Sequence, residues 1–180
     1  MTHFGLLVFG EDVEGQLEQY SEHLEVPEYI VKKLDEADWM EIRAYHKITK
    51  PMSKNKIVEK FGDGWNGNRW KIIKGRWVEV STYNPKSKYD YYGLGGGWDK
   101  EIILKDGTGT NEALVGEVDW DKTLITYSIV IDGEWFEKGR MGWFAMSDDK
   151  YTDKQWKDIV KNKIKELPKD MLVQIFEGHI

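Results

Sequence analysis

The run Leu124-Ile125-Thr126-Tyr127-Ser128-Ile129-Val130-Ile131, followed by Asp132-Gly133 and then Glu134-Trp135-Phe136-Glu137, constrains the fold more than any other stretch of this chain. An apolar, β-branched run commits to a strand, and Asp-Gly supplies the positive φ angles of a tight two-residue hairpin. A second hairpin follows the same logic, with 70–73 and 76–80 flanking Lys74-Gly75. The apolar runs 2–10 and 171–176 read as buried strands. Thr152 and Gln155 form a capping box opening a helix whose Trp156, Ile159, Val160, Lys163, Ile164 and Leu167 make one stripe, stopped by Pro168. Ser53 caps a short helix over 53–61 that ends at Gly62. Ile30, Val31, Leu34, Ala37 and Met40, at three- and four-residue steps after Pro27, predict a helix over 28–42. The acid-rich 11–28 reads as surface loop or a frayed turn, 62–70 as a loop able to move, and 107–116 as a flexible loop. Together these predict a single α+β domain over 1–180, a mainly antiparallel sheet with helices packed on it, and a decorated ferredoxin-like core as the candidate layout.

Composition removes several function classes. With no cysteine there is no disulfide, thiolate zinc site or cysteine nucleophile. No apolar run reaches the roughly 20 residues of a membrane span, and the first residues lack a signal-peptide pattern, so a cytoplasmic location is expected. A net charge of −6 argues against a binder of duplex nucleic acid. Its distribution says more: residues 1–40 carry ten acids and two lysines, 41–90 five acids and twelve Lys or Arg, and 91–180 seventeen acids and twelve bases. An acidic protein with one basic zone suits a small anion better than a polymer. Equally, that basic zone has the acids of the first forty residues available as ion-pair partners.

The basic zone overlaps an aromatic one, Thr82-Tyr83-Asn84-Pro85-Lys86-Ser87-Lys88-Tyr89-Asp90-Tyr91-Tyr92-Gly93-Leu94-Gly95-Gly96-Gly97-Trp98. Flat rings, cations and glycine amides that allow close approach fit a nucleotide. The same rings also serve to plug a core. The candidate ligand-binding set is Tyr83, Tyr89, Tyr92, Trp98 and Trp143 as base-facing rings, and Lys86, Lys88 and Arg140 on phosphate. Asn84 and Asp90 read base edges or fix the loop, and the backbone of Gly95 and Gly96 lies close to the ligand. No catalytic residue, metal ligand or cofactor is assigned. His3, His23, His46 and His179 stand far apart, none with a partner at metal-ligand spacing. His3 and His179 would face each other if the first and last strands are antiparallel neighbours, the one acid–base pairing the sequence offers. There is no P-loop and no G-x-S-x-G, and the glycine run does not fit G-x-G-x-x-G.

Thr2-His3-Phe4, the central Tyr83-Asn84-Pro85 through Lys88-Tyr89-Asp90-Tyr91-Tyr92 to Gly95-Gly96-Gly97-Trp98, the segment Asp132-Gly133-Glu134-Trp135 through Gly139-Arg140-Met141-Gly142-Trp143, and Gly178-His179-Ile180 resemble a set of small phage-encoded proteins. Their pattern is N-P-x-x-K-W-D-W-Y-x-x-G-G-R-W followed by D-G-x-W-Y-x-x-G-x-M-G-W-W. That set is similar to the phage sponges that sequester cyclic-nucleotide signals of bacterial anti-phage (CBASS) immunity. The resemblance implies a homo-oligomer, a tetramer, in the cytoplasm of an infected bacterial host, binding a cyclic dinucleotide such as 3′,3′-cyclic GMP–AMP without cleaving it. Gly97 stands where the pattern has Arg, and Arg140 where it often has Glu, which shifts phosphate contact to Lys86, Lys88 or Arg140. Two alternatives stay open: a metal-independent phosphodiesterase using His3 and His179, and a protein-binding inhibitor whose aromatic patch docks on a host factor.

Overall fold

Strand β1, His3–Phe9, has six consecutive buried residues, so it must be covered on both faces. The computed structural model describes residues 2–62, 68–141 and 147–180. The chain condenses as two compact units, one made of Met1–Glu22 with Lys86–Ile180 and the other of His23–Pro85. After β1 a short helix, α1 (Val13–Glu18), starts where the Asp12 side chain accepts from the Gly15 N–H, in the acid-rich stretch expected to be loop or frayed turn.

The smaller unit holds β2 (Tyr29–Lys33), α2 (Glu36–Tyr45), α3 (Lys54–Phe61), β3 (Arg69–Ile73) and β4 (Arg76–Ser81). Its antiparallel sheet runs β2-β4-β3. The β3–β4 hairpin turns on Lys74 and Gly75, at φ of 50° and 74°, and Ser53 caps α3 as expected. The helix predicted over 28–42 is instead a strand and a later helix. Asp35 and Asp38 form a reciprocal capping box that sets the start of α2, and the β-branched Ile30 and Val31 before it go to β2, as their stiff χ1 favours. Trp39 is the buried centre, with Trp77 at 5.5 Å and Trp70 at 6.3 Å between ring centroids. Several cations of the basic zone are compensated inside this unit: Arg69 and Lys71 meet Glu28, and Lys54 meets Glu36; Lys32, outside that zone, meets Asp38. Most of the loop expected over 62–70 lies outside the described residues, at 63–67.

In the larger unit β1 is followed by β5 (Tyr91–Leu94), β6 (Ile102–Ile103), β7 (Gly109–Thr110), β8 (Glu112–Leu114), β9 (Ser128–Ile131), β10 (Glu134–Glu137), β11 (Gly139–Met141), β12 (Ser147–Asp149), α4 (Asp153–Glu166) and β13 (Leu172–His179). The main sheet runs β10-β9-β1-β13-β5, with β8 also on β13. Helix α4 opens on the expected Thr152–Gln155 capping box. It covers one face with Trp156, Val160 and Ile164, against Leu7, Phe9, Ile129, Val173 and Ile175. The other face carries Phe4, Leu6, Val8, Val130 and Phe176 under Leu17 of α1 and the ring of Tyr89. The Asp132-Gly133 hairpin forms with both residues at positive φ.

The protein is therefore α+β with mostly antiparallel sheets. It departs from the ferredoxin-like layout in one respect: β1 and β9 are parallel and directly adjacent, whereas the split arrangement places a strand between its parallel pair. One further feature shapes the sheet edge. Gly95 N–H donates to the Ile175 carbonyl and Ile175 N–H donates to the Asn111 carbonyl, both at 2.9 Å, so β5 and β8 share one lane beside β13. Between them the chain runs outward through a 3-10 turn, Gly96–Trp98, and the β6–β7 pair before returning.

Candidate functional site

The boundary between the units falls within the aromatic stretch, leaving Tyr83 and Asn84 in the smaller unit and Lys86 to Trp98 in the larger. Tyr83 is held by its neighbours: its N–H donates to Ser81 Oγ and its carbonyl accepts from the Tyr29 hydroxyl. Asn84 is buried. In the larger unit Lys86 Nζ lies 3.4 Å from Gln19 Oε1, and Lys88 is paired to Glu137 at 2.8 Å.

Tyr89 is a core residue, not a base-facing ring: it is 6% exposed, its hydroxyl donates to the Leu17 carbonyl, and burial pushes its phenol above the ordinary value. Tyr92 is half-buried, edge-on to Tyr89 and Phe176, and burial raises its phenol too. Trp98 packs against the α4-side core, over Gly5, where a Cβ would come within 2.8 Å of its indole nitrogen. The expected electropositive slot is also corrected. The cleft beside these tyrosines, of ≈ 630 Å³, is lined by Asp12, Glu14, Glu18 and Asp90 with no Lys or Arg. The chain pairing explains it: Glu22 N–H bonds the Tyr89 carbonyl and Lys88 N–H the Tyr20 carbonyl, which docks acid-rich α1 alongside.

A cationic, ring-lined cleft exists elsewhere in the larger unit. Arg140 of β11, Lys150 just after β12 and Lys163 of α4 surround a hollow of ≈ 640 Å³ with Trp135, Phe136, Tyr151 and Trp156 in its walls. Lys163 Nζ sits 3.6 Å from the Phe136 ring centroid and Lys150 Nζ 5.1 Å from that of Tyr151, cation–π contacts that hold both ammonium groups beside rings. Tyr151 and Trp156 stack at 6.2 Å, and the Trp156 indole donates to the Thr126 carbonyl. Two carboxylates line the cleft as well. Glu137 is engaged by Lys88 and by the Trp135 indole, and Asp148 is the strand partner of Arg140. Among the described residues none of the three cations has an ion-pair partner. Of the predicted phosphate contacts, Arg140 alone lies here; Trp143 lies outside the described residues.

Beside this cleft, Lys138 is clamped by Asp149 and Asp153, both at 2.6 Å, which raises the lysine above its ordinary range. Tyr127 donates to Asp149, and burial with that carboxylate pushes its phenol up to about 12. These groups brace β10–β12 against the start of α4.

A third cluster sits where β1 and β13 meet. His3 and His179 are register partners, with imidazole centroids 4.6 Å apart and planes at 82°. The sequence-based expectation that they would face each other holds. His3 Nδ1 contacts Glu177, and His179 Nδ1 lies 2.8 Å from Asp90 Oδ1. Asp90 thus orients an imidazole. Glu177 also accepts from the Gly97 N–H at 2.9 Å, and this bond, then His3, holds its carboxyl below the usual value. Gly95 and Gly96, both at positive φ, shape the turn that presents that N–H. Among the described residues no three His, Cys, Asp or Glu converge on one metal position.

Sequence reasoning did not reach Lys150, Lys163, Phe136 and Tyr151; the signal available was the alternation of rings and cations from 135 to 163. Compared with protein families, curated proteins and solved structures, the chain matches none. Function is therefore read from the site.

Proposed function

We propose that this protein binds a small anionic nucleotide in the cleft of Arg140, Lys150 and Lys163 and holds it without cleaving it. The observation that carries this is three cations, none in an ion pair among the described residues, set around the partly exposed rings of Trp135, Phe136 and Tyr151 in a hollow of ≈ 640 Å³. Phosphate on Arg or Lys gains charge-assisted bonds, and a base on an aromatic face contributes about 1–3 kcal/mol. Two phosphates and two bases would together support submicromolar binding. The resemblance makes a cyclic dinucleotide the ligand to try, an oligomer the form that binds, and the cytoplasm of an infected bacterium the setting. No helix among the described residues is long and apolar enough to cross a membrane.

Calorimetric titration with 3′,3′-cyclic GMP–AMP, followed by boiling and chromatography of the ligand, tests this. Binding with intact ligand recovered is expected. Arg140→Ala and Lys163→Ala should each weaken binding about tenfold, the size of one charge-assisted bond, and Lys86→Ala should leave it unchanged. Absence of heat across a panel of cyclic nucleotides, or affinity indifferent to both cleft variants, refutes the reading.

One observation favours a second reading, cleavage of such a phosphodiester. The imidazoles of His3 and His179 touch, and each is backed by a carboxylate, an arrangement suited to general acid–base work. A linear product, lost in His179→Gln, would establish it.

A further inference from the structure

His3 and His179 lie 176 positions apart in sequence yet directly opposite one another on the adjacent antiparallel strands β1 and β13. Thr2 and Ile180 exchange both backbone bonds, each at 3.0 Å. The next pair along, His3 and His179, is therefore the non-hydrogen-bonded kind, in which side chains come closest.

Both rings are oriented through the same atom. Each Nδ1 meets a carboxylate, Glu177 for His3 and Asp90 for His179. A carboxylate only accepts, so in its neutral form each ring would carry its proton on Nδ1 and its lone pair on Nε2. A carboxylate on the far nitrogen is the usual support of a metal-ligating histidine, fixing its tautomer and raising its basicity. Glu177 is itself immobilised by the Gly97 N–H, and Gly96 leaves the space its side chain occupies. It is a support that cannot swing in as a ligand.

We propose that His3 and His179 form a two-imidazole chelate for a divalent transition-metal ion of the zinc class, with water completing the coordination. Imidazole nitrogens at about 2.0–2.1 Å from a tetrahedral ion place the two ring centroids about 5 Å apart, and here they are 4.6 Å apart. The His3 side chain is 55% exposed and that of His179 14%, so an ion has an entry path on one side and a rigid wall on the other. Two protein ligands instead of three or four make this an exchangeable site with open positions. Imidazole donors suit zinc, cobalt and nickel over magnesium or calcium. The site is independent of the nucleotide cleft.

Titration of the full chain with ZnCl₂, followed by calorimetry and by the imidazole resonances in NMR, decides the question. One ion per chain is expected, with shifts confined to the His3 and His179 rings and a Zn²⁺-dependent rise in melting temperature. His179→Gln should weaken binding at least about tenfold and abolish the thermal shift, and Glu177→Gln should weaken it about 10–100-fold with both ligands still present. His3→Gln, at the exposed ring, serves as the second ligand variant should His179→Gln fold poorly by circular dichroism. No Zn²⁺ heat in the wild type, or heat that survives loss of either histidine, overturns the proposal.

Discussion

Gly96 and Gly97 are adjacent, yet substitution by alanine should have opposite consequences. At Gly96 the backbone has φ +59°, and an added Cβ would stand 1.9 Å from Glu177 Oε2 and 2.6 Å from Glu177 Cβ. An L side chain in the left-handed region costs about 1–2 kcal/mol. The Glu177 Cβ is fixed by β13 and cannot retreat, so the turn itself must move and give up the Gly97 N–H bond to the carboxylate, about 1 kcal/mol at this partly exposed position. Gly96→Ala should therefore lose about 2–3 kcal/mol. At Gly97 φ is unexceptional and the nearest atom to an added Cβ is Glu177 Oε1 at 3.9 Å. Gly97→Ala should be neutral or stabilise by up to about 1 kcal/mol through the unfolded chain. Gly97→Arg, the residue of the resembled pattern, should fold as well as the parent. Urea denaturation with linear extrapolation measures all three. Equal losses in the two alanine variants, or a larger loss at Gly97, would refute the packing argument for the glycine run.

Two further outcomes follow from the larger unit. Because Glu177 titrates below its ordinary 4.5 when folded, its contribution is full above that pH and is lost as pH falls through the lower folded value. The stability gap between wild type and Glu177→Gln should hold near neutrality and close in acid; a gap that widens in acid would contradict it. Tyr89→Phe should lose up to about 1 kcal/mol by removing the hydroxyl's bond to the Leu17 carbonyl, which keeps its backbone partner, the Tyr20 N–H, with nucleotide affinity unchanged. Lost affinity at full stability would return Tyr89 to the ligand.

Local signals carried the fold where each specified one conformation. Lys74-Gly75 and Asp132-Gly133 give hairpins because two successive positive φ angles permit little else, and Thr152–Gln155 fixes the start of α4 by two reciprocal bonds. The stretch 28–42 misleads because Ile30, Val31 and Leu34 fit a helical period, whereas the Asp35–Asp38 box lies five residues further on and decides. The site was less legible. Whether Tyr89 and Trp98 face solvent depends on gaps that only the folded sheet opens, such as the one over Gly5. The cation cleft joins β10, β11 and α4, and no local rule predicts that Lys163 comes to lie over Phe136. The two histidines were legible as a conditional: once β1 and β13 pair in antiparallel register, they must meet.

The divided lane beside β13 shortens the exposed margin of this sheet. A long free margin of unpaired amides recruits strands from other chains, but here the margin is broken into four residues at Tyr91–Leu94 and three at Glu112–Leu114. The two ends of the outward excursion bond the N–H and carbonyl of the same residue, Ile175, so chain added at its outer turn leaves the register of β5 and β8 on β13 in place. Its outer turn, Asp106-Gly107, where an added Cβ on Gly107 meets nothing, is where foreign sequence should be accepted with the sheet undisturbed.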